Sequence, residues 1–157
     1  VENRTSTTRI TLIHHVLTSC KAENKINPTD SKGGIVEFST TLEAPDDKSI
    51  IKKGESYLIS LLLDCTGKTK DSKDIAFQVS CKMEGVCAVI DGSTVGIKSS
   101  PDLWAIPANQ LYPLVAQFIS DVVSRMGYKN IAIPVSIPDI AVPKSKDIPD
   151  KKSKRKK

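Results

Sequence analysis

The chain has 157 residues, 39% of them hydrophobic and 26% charged, with a net charge of +5, which fits one domain with a modest core and leaves no room for a second. No apolar run approaches the ~18 residues that a membrane-spanning helix needs, and the first residues show neither a basic nor an apolar leader region, so the expectation is a soluble, cytoplasmic chain. Residues 151–157, KKSKRKK, hold six positive charges and no negative one, so the remainder carries +5 less 6, a net −1; a basic nucleic-acid-binding face on the folded body is excluded, and any such binding is left to that tail.

Residues 1–8 read as a flexible N-terminus, and RITLIHHVLTSC (9–20) as a strand with Ile10, Leu12, His14, Val16 and Thr18 on one face. A turn-rich stretch, NKINPTDSKGG (24–34), leads to a second strand over 35–42, with Val36, Phe38, Thr40 and Leu42 on one side and Glu37, Ser39 and Thr41 on the other. The polar loop 43–56 precedes the most apolar strand, 57–65, in which Tyr57, Ile59, Leu61, Leu63 and Cys65 alternate with Leu58, Ser60, Leu62 and Asp64. Its partner begins at Ile75, with Phe77, Val79, Cys81 and Met83 inward and Ala76, Gln78, Ser80 and Lys82 outward; Gly85 marks an expected bulge, and the strand runs on to about Ile90.

An amphipathic helix is expected from about 110 to 126, because Leu111, Leu114, Val115, Phe118, Ile119, Val122, Val123 and Met126 follow the i, i+3, i+4, i+7 rule. Asn109 supplies an N-cap, Pro113 is tolerated in the first turn, and Arg125 and Gly127 favour a C-terminus. The apolar stripe is wider than one small sheet needs, which points to burial on a second side by self-association. Leu103, Trp104 and Ile106 before the helix, and IAIPVSIPDIAV (131–142) after it, are further apolar surface, the latter interrupted by prolines at 134, 138 and 143. Four strands joined by polar turns and followed by one long helix define an α+β fold: a four-stranded antiparallel sheet with the helix on one face.

Catalytic groupings are poor. His14 and His15 are neighbours on a strand and should point to opposite faces. Cys20, Cys65, Cys81 and Cys87 contain no CxxC pair and read as buried free thiols, not as zinc ligands or disulfides. Asp46–Asp47 and Asp71–Asp74 lie among lysines in loops, and Gly33–Gly34 opens a strand where a phosphate-cradling loop would open a helix. The sequence therefore reads as a non-enzyme that needs no cofactor and no metal.

The order of motifs resembles the SecB family of export chaperones and their relatives encoded beside toxin–antitoxin pairs. The resemblance rests on Ala76-Phe77 and Gly85 in the fourth strand, Leu111-Tyr112-Pro113 at the helix start, Ser120 or Asp121 to Ser124-Arg125 at its end, and Pro134-Val135-Ser136-Ile137 beyond. It spans about residues 9–140 and is specific from about 75 to 138.

The resemblance implies a SecB-like domain over 9–142 and a homotetramer built as a dimer of dimers, while the charge run makes 143–157 a disordered basic tail. The oligomer interface would be Leu111, Leu114, Val115, Phe118, Ile119 and Val122. It also implies a holdase that keeps unfolded polypeptides, export clients or an aggregation-prone antitoxin in a hydrophobic groove. Carried over by position, that groove is lined by Val36, Phe38, Thr40 and Leu42 on the second strand, with Ile137, Ile140 and Val142 opposite. Three departures stand out. Pro138 and Pro143 interrupt the place of the family's second helix, Ser80 occupies the position of the acidic residue that helps dock the SecA motor, and the tail is basic. They favour a dedicated client over general SecA-dependent export. The alternative is a small α+β nucleic-acid-associated protein acting through 151–157; trimming that tail would then abolish binding and its salt dependence.

Overall fold

The computed structural model describes residues 9–30, 33–45, 50–71, 73–91, 95–96, 102–137 and 144–145. Four long strands, β1 (Arg9–Asn24), β2 (Gly34–Ala44), β4 (Ser56–Thr69) and β5 (Ile75–Asp91), precede one helix, α1 (Asp102–Arg125). The described residues also hold a 3-10 turn, Pro28–Asp30, and three two-residue strands: β3 (Ile50–Ile51), β6 (Val95–Gly96) and β7 (Lys144–Ser145). The main sheet has the order β1-β5-β4-β2-β7 and β3 pairs with β6. The long strands pair antiparallel, whereas β7 adds in parallel at the Glu43–Ala44 end of β2. Two residues of the stretch expected to be a disordered tail thus take up backbone hydrogen-bonding groups on the edge of β2.

Strict alternation sets the core. Tyr57, Ile59, Leu61, Leu63 and Cys65 of β4 and Phe77, Val79, Cys81, Met83, Cys87 and Val89 of β5 are buried on the face that receives the helix. Ile75, expected inward, is 38% exposed and Ala76 is buried instead, because the β4–β5 register slips between Gly67 and Lys68.

The edge strand β1 departs further from the pattern. Its register against β5 shifts between Leu12 and His14 and again between Leu17 and Ser19. Each extra residue inverts the alternation, so the two cancel: Ile10 and Leu12 pack on the core as expected, Leu17 replaces Val16 there, and Val16 is 47% exposed. The His14 and His15 rings, expected on opposite faces, lie with centroids 6.4 Å apart. The bulge expected at Gly85 is therefore in the opposing strand; Gly85 itself pairs directly with His15 and Ile59. Its lack of a Cβ makes room for Leu12 and for Leu111 of the helix, which a side chain there would strike.

The helix starts eight residues before the expected position, taking in Leu103, Trp104 and Ile106, so Asn109 is interior and caps nothing. Pro107 and Pro113 are both inside it. A proline at 107 removes the N–H that would bond the carbonyl of residue 103, and that carbonyl accepts the Tyr57 hydroxyl instead, at 2.6 Å in a buried position. The C-terminus matches expectation and can be named: Gly127 has φ 100°, its N–H bonds Ser124 O, and Tyr128 N–H bonds Val123 O, the two bonds of a Schellman motif.

The helix packs on β5, β1 and β4. Leu103, Ala108, Leu111, Tyr112, Val115, Ile119 and Val123 lie against the sheet. Leu114, Phe118 and Val122 form a second stripe that stays partly open, Leu114 at 38% exposure. No helix among the described residues is long and apolar enough to cross a membrane.

Candidate client-binding groove

β2 lies at the margin of the helix footprint, and its helix-side row is only partly covered: Val36, Phe38 and Thr40 are half-buried while Leu42 is fully buried. The row is level with Gly67, Cys65, Leu63 and Leu61 of β4. A Cβ at Gly34 would overlap the Lys68 carbonyl, and one at Gly67 would overlap the Phe77 ring. Glycine at these positions lets β2 close on β4 and lets Phe77 lie across the strand.

The facing wall is the segment after the helix. Past the Schellman turn, Tyr128 turns toward the sheet. Its hydroxyl lies 3.0 Å from Ile26 O and 3.2 Å from Ala76 O, so one proton is shared between two carbonyls. Its ring meets Phe77 with centroids 4.4 Å apart. The chain then runs back alongside α1, held where the Tyr112 hydroxyl donates to Pro134 O at 2.8 Å. Ile131, Ile133 and Ile137 pack on the core, while Val135 is 98% exposed. Burial raises the proton affinity of the Tyr57, Tyr112 and Tyr128 phenols, so all three stay neutral donors at physiological pH.

Between the two walls is an open cavity of about 400 Å³, lined by the start of β2 from Gly33 to Val36, by Gly67 and Lys68, by Ala76 and Phe77, and by Tyr128 to Ala132. A second hollow of about 340 Å³ lies on the far side of the post-helix segment, between Tyr112, Ala116 and Ser120 of the helix and Ile131 to Val135. Both volumes fall within the ~300–1,000 Å³ of typical ligand pockets. The rim charge of Lys68 is paired with Glu37 at 2.7 Å; Lys129 and Asn130 also line the cavity, so its lining is mixed, with Val36, Phe77, Ile131 and Ala132 supplying the apolar part.

Val36 lines this cavity together with Ile131 and Ala132. Phe38 and Thr40 continue the same row, Leu42 is too deep for contact with a ligand, and Ile137 packs on the core away from the first cavity. Ile140 and Val142 lie outside the described residues. Of the six helix positions assigned to an oligomer interface, Leu111, Val115 and Ile119 are fully buried against the chain's own sheet, which leaves Leu114, Phe118 and Val122 facing out. Phe77 and Tyr128, which line the cavity, are outside the residues expected for the groove, whereas Ile131 belongs to the post-helix segment expected as its wall. The alternation of Ile131 and Ile133 is a visible signal, but the contacts of Tyr128 with Ile26, Ala76 and Phe77 join distant segments, which local pattern does not place. Among the described residues no three His, Cys, Asp or Glu side chains gather as a metal site would require.

No protein-family model matches the sequence, and no curated protein does. The fold is that of the SecB-like chaperones. It is similar to the Mycobacterium tuberculosis Rv1957 SecB-like chaperone, whose structure was solved in complex with a ChAD peptide from the Rv1956 HigA1 antitoxin. The TM-score is 0.57 and the identity 12%, over 87% of this chain and 94% of that one. At that identity the likeness is one of fold.

Proposed function

We propose that this chain is a cytoplasmic holdase whose SecB-like domain, residues 9–142, keeps unfolded or aggregation-prone polypeptides in solution. The observation that carries the proposal is the incompletely covered row of β2, with Val36 facing Ile131 across a cavity of about 400 Å³, in a fold similar to a SecB-like chaperone. Such a site takes apolar side chains of many shapes. Each one buried contributes about 1.5–3 kcal/mol before ordering costs are subtracted, so affinity comes from several weak contacts along an extended client.

An antitoxin is the client class favoured by the fold neighbour, which holds an antitoxin peptide. The proposed assembly is a homotetramer in which Leu114, Phe118 and Val122 of one helix meet the same stripe of another. The test combines native mass measurement with suppression of aggregation of a chemically denatured model protein. The expected result is an oligomer that suppresses aggregation at near-stoichiometric amounts, with the effect reduced by Val36→Asp and unchanged by trimming 151–157. A monomer without anti-aggregation activity overturns the proposal, and loss of activity on trimming the tail moves the site to the basic segment.

A further inference from the structure

Cys20 and Cys81 are direct partners in the β1–β5 register, and the Cys81 thiol donates to the Cys20 Sγ at 2.9 Å. The second β1 bulge makes this pairing. With Leu17 on the core side, uninterrupted alternation would bring Ser19 beside it and turn Cys20 away. The two thiols are unlike: Cys20 is exposed, Cys81 fully buried. Directly opposed residues of an antiparallel pair hold their Cα atoms about 4.5–5.5 Å apart, inside the ~4.4–6.8 Å that a disulfide spans. A bond needs the sulfurs at about 2.05 Å, so the approach still required is under ~1 Å and side-chain rotation covers it. Cys65 and Cys87 have no such partner: their register neighbours are Phe38 and Val79 for Cys65, and Leu12 and Tyr57 for Cys87.

We propose that Cys20 and Cys81 form a reversible intramolecular disulfide by exchange with low-molecular-weight disulfides of the glutathione type. The Cys20 thiolate attacks one sulfur of the oxidant RSSR. The S–S bond breaks, and the departing RS⁻ takes up the proton that Cys20 lost. Cys81 Sγ then attacks Cys20 Sγ in the mixed disulfide and expels the second RS⁻, which takes up the Cys81 proton. Two protein thiols are oxidised to one disulfide while RSSR is reduced to two RSH, and a reducing thiol runs the sequence backwards. Cys81 is buried and Cys20 exposed, so Cys20 meets the oxidant first, and Cys81, 2.9 Å from its sulfur, is placed to resolve the mixed disulfide. The bond ties β1, which has a single strand neighbour among the described residues, to β5. This site is independent of the function proposed above.

The test uses the full chain equilibrated at graded ratios of reduced to oxidised glutathione, with thiols counted after denaturation and peptides mapped without reduction. The expected result is a fall from four free thiols to two, a peptide joined at Cys20–Cys81, full reversal by dithiothreitol and a higher melting temperature for the oxidised form. Cys20→Ser, at an exposed position that folding tolerates, should keep its three remaining thiols. Retention of all four thiols in the wild-type chain overturns the proposal. A stable glutathione adduct on Cys20 with Cys81 still free does so too, as does a bond joining Cys20 of two chains.

Discussion

Removing the Tyr57 hydroxyl tests whether a tertiary hydrogen bond replaces the helical bond that Pro107 forbids. The hydroxyl donates to Leu103 O at 2.6 Å, and the two residues are 6% and 1% exposed. Tyr57→Phe keeps the ring and its packing but leaves a buried carbonyl with neither its helical donor nor water. A buried polar group left unsatisfied costs about 1–3 kcal/mol. Urea unfolding at fixed protomer concentration should therefore show a lower midpoint by that amount, with the m-value unchanged. The sharper measurement is a double-mutant cycle. Pro107→Ala restores an N–H within reach of Leu103 O, so in that background Tyr57→Phe should cost about 1 kcal/mol less. An equal cost in both backgrounds, or no cost in the wild-type one, would refute the idea that the hydroxyl substitutes for the missing helical donor.

Gly67→Ala should destabilise by about 1–3 kcal/mol, the range for overpacking, because its Cβ overlaps the Phe77 ring; Phe77→Leu should relieve part of that cost in the same unfolding assay. Thr40 Oγ1 is buried without a hydrogen-bond partner among the described residues, so Thr40→Val should be neutral or stabilising by up to about 1–3 kcal/mol, and a loss of stability would show that the hydroxyl has a partner. Burial pushes the Cys65 thiol up to about 12 and the Cys87 thiol up to about 11, from 9.0. Each folded-state pKa is raised, so their contribution is whole below pH 9 and is lost as pH rises from there through the folded values. Unfolding midpoints followed from pH 8 to 10.5 should decline, each group adding at most ~1.4 kcal/mol per pH unit; Cys65→Ala should flatten the slope, and a flat wild-type profile would contradict the assignment.

The strand content was legible because β4 and the middle of β5 alternate without interruption, and burial on one face forces period two on the residues themselves. The C-terminus of the helix was legible for a similar local reason, since Gly127 is the residue a Schellman turn selects. Its N-terminus was not. Asn109 and Pro113 suit a start near 110, and carrying the helix back past Pro107 depends on Tyr57, a residue 46 positions away from Leu103 in the chain. The phase of β1 was hidden too, because two bulges conserve the pattern at both ends while inverting its middle.

The alternation of β2 put Val36, Phe38 and Thr40 on one face, and only the resemblance assigned that face to a groove; their partial exposure followed from neither. How far a helix of given width covers a sheet depends on where it sits, and that is set by the close approach at Gly85 and the anchors of Tyr57 and Tyr112. The sequence by itself determined the four long strands, the apolar faces of β2 and β4, the body of the helix with its C-terminus, and the near-neutral charge of the body, since each depends on residues near one another in the chain. Only the tertiary structure decided which apolar residues stay open, which wall Val36 meets, and that Cys20 stands against Cys81. Those are contacts between distant segments, fixed by register shifts and by hydrogen bonds that no local pattern encodes.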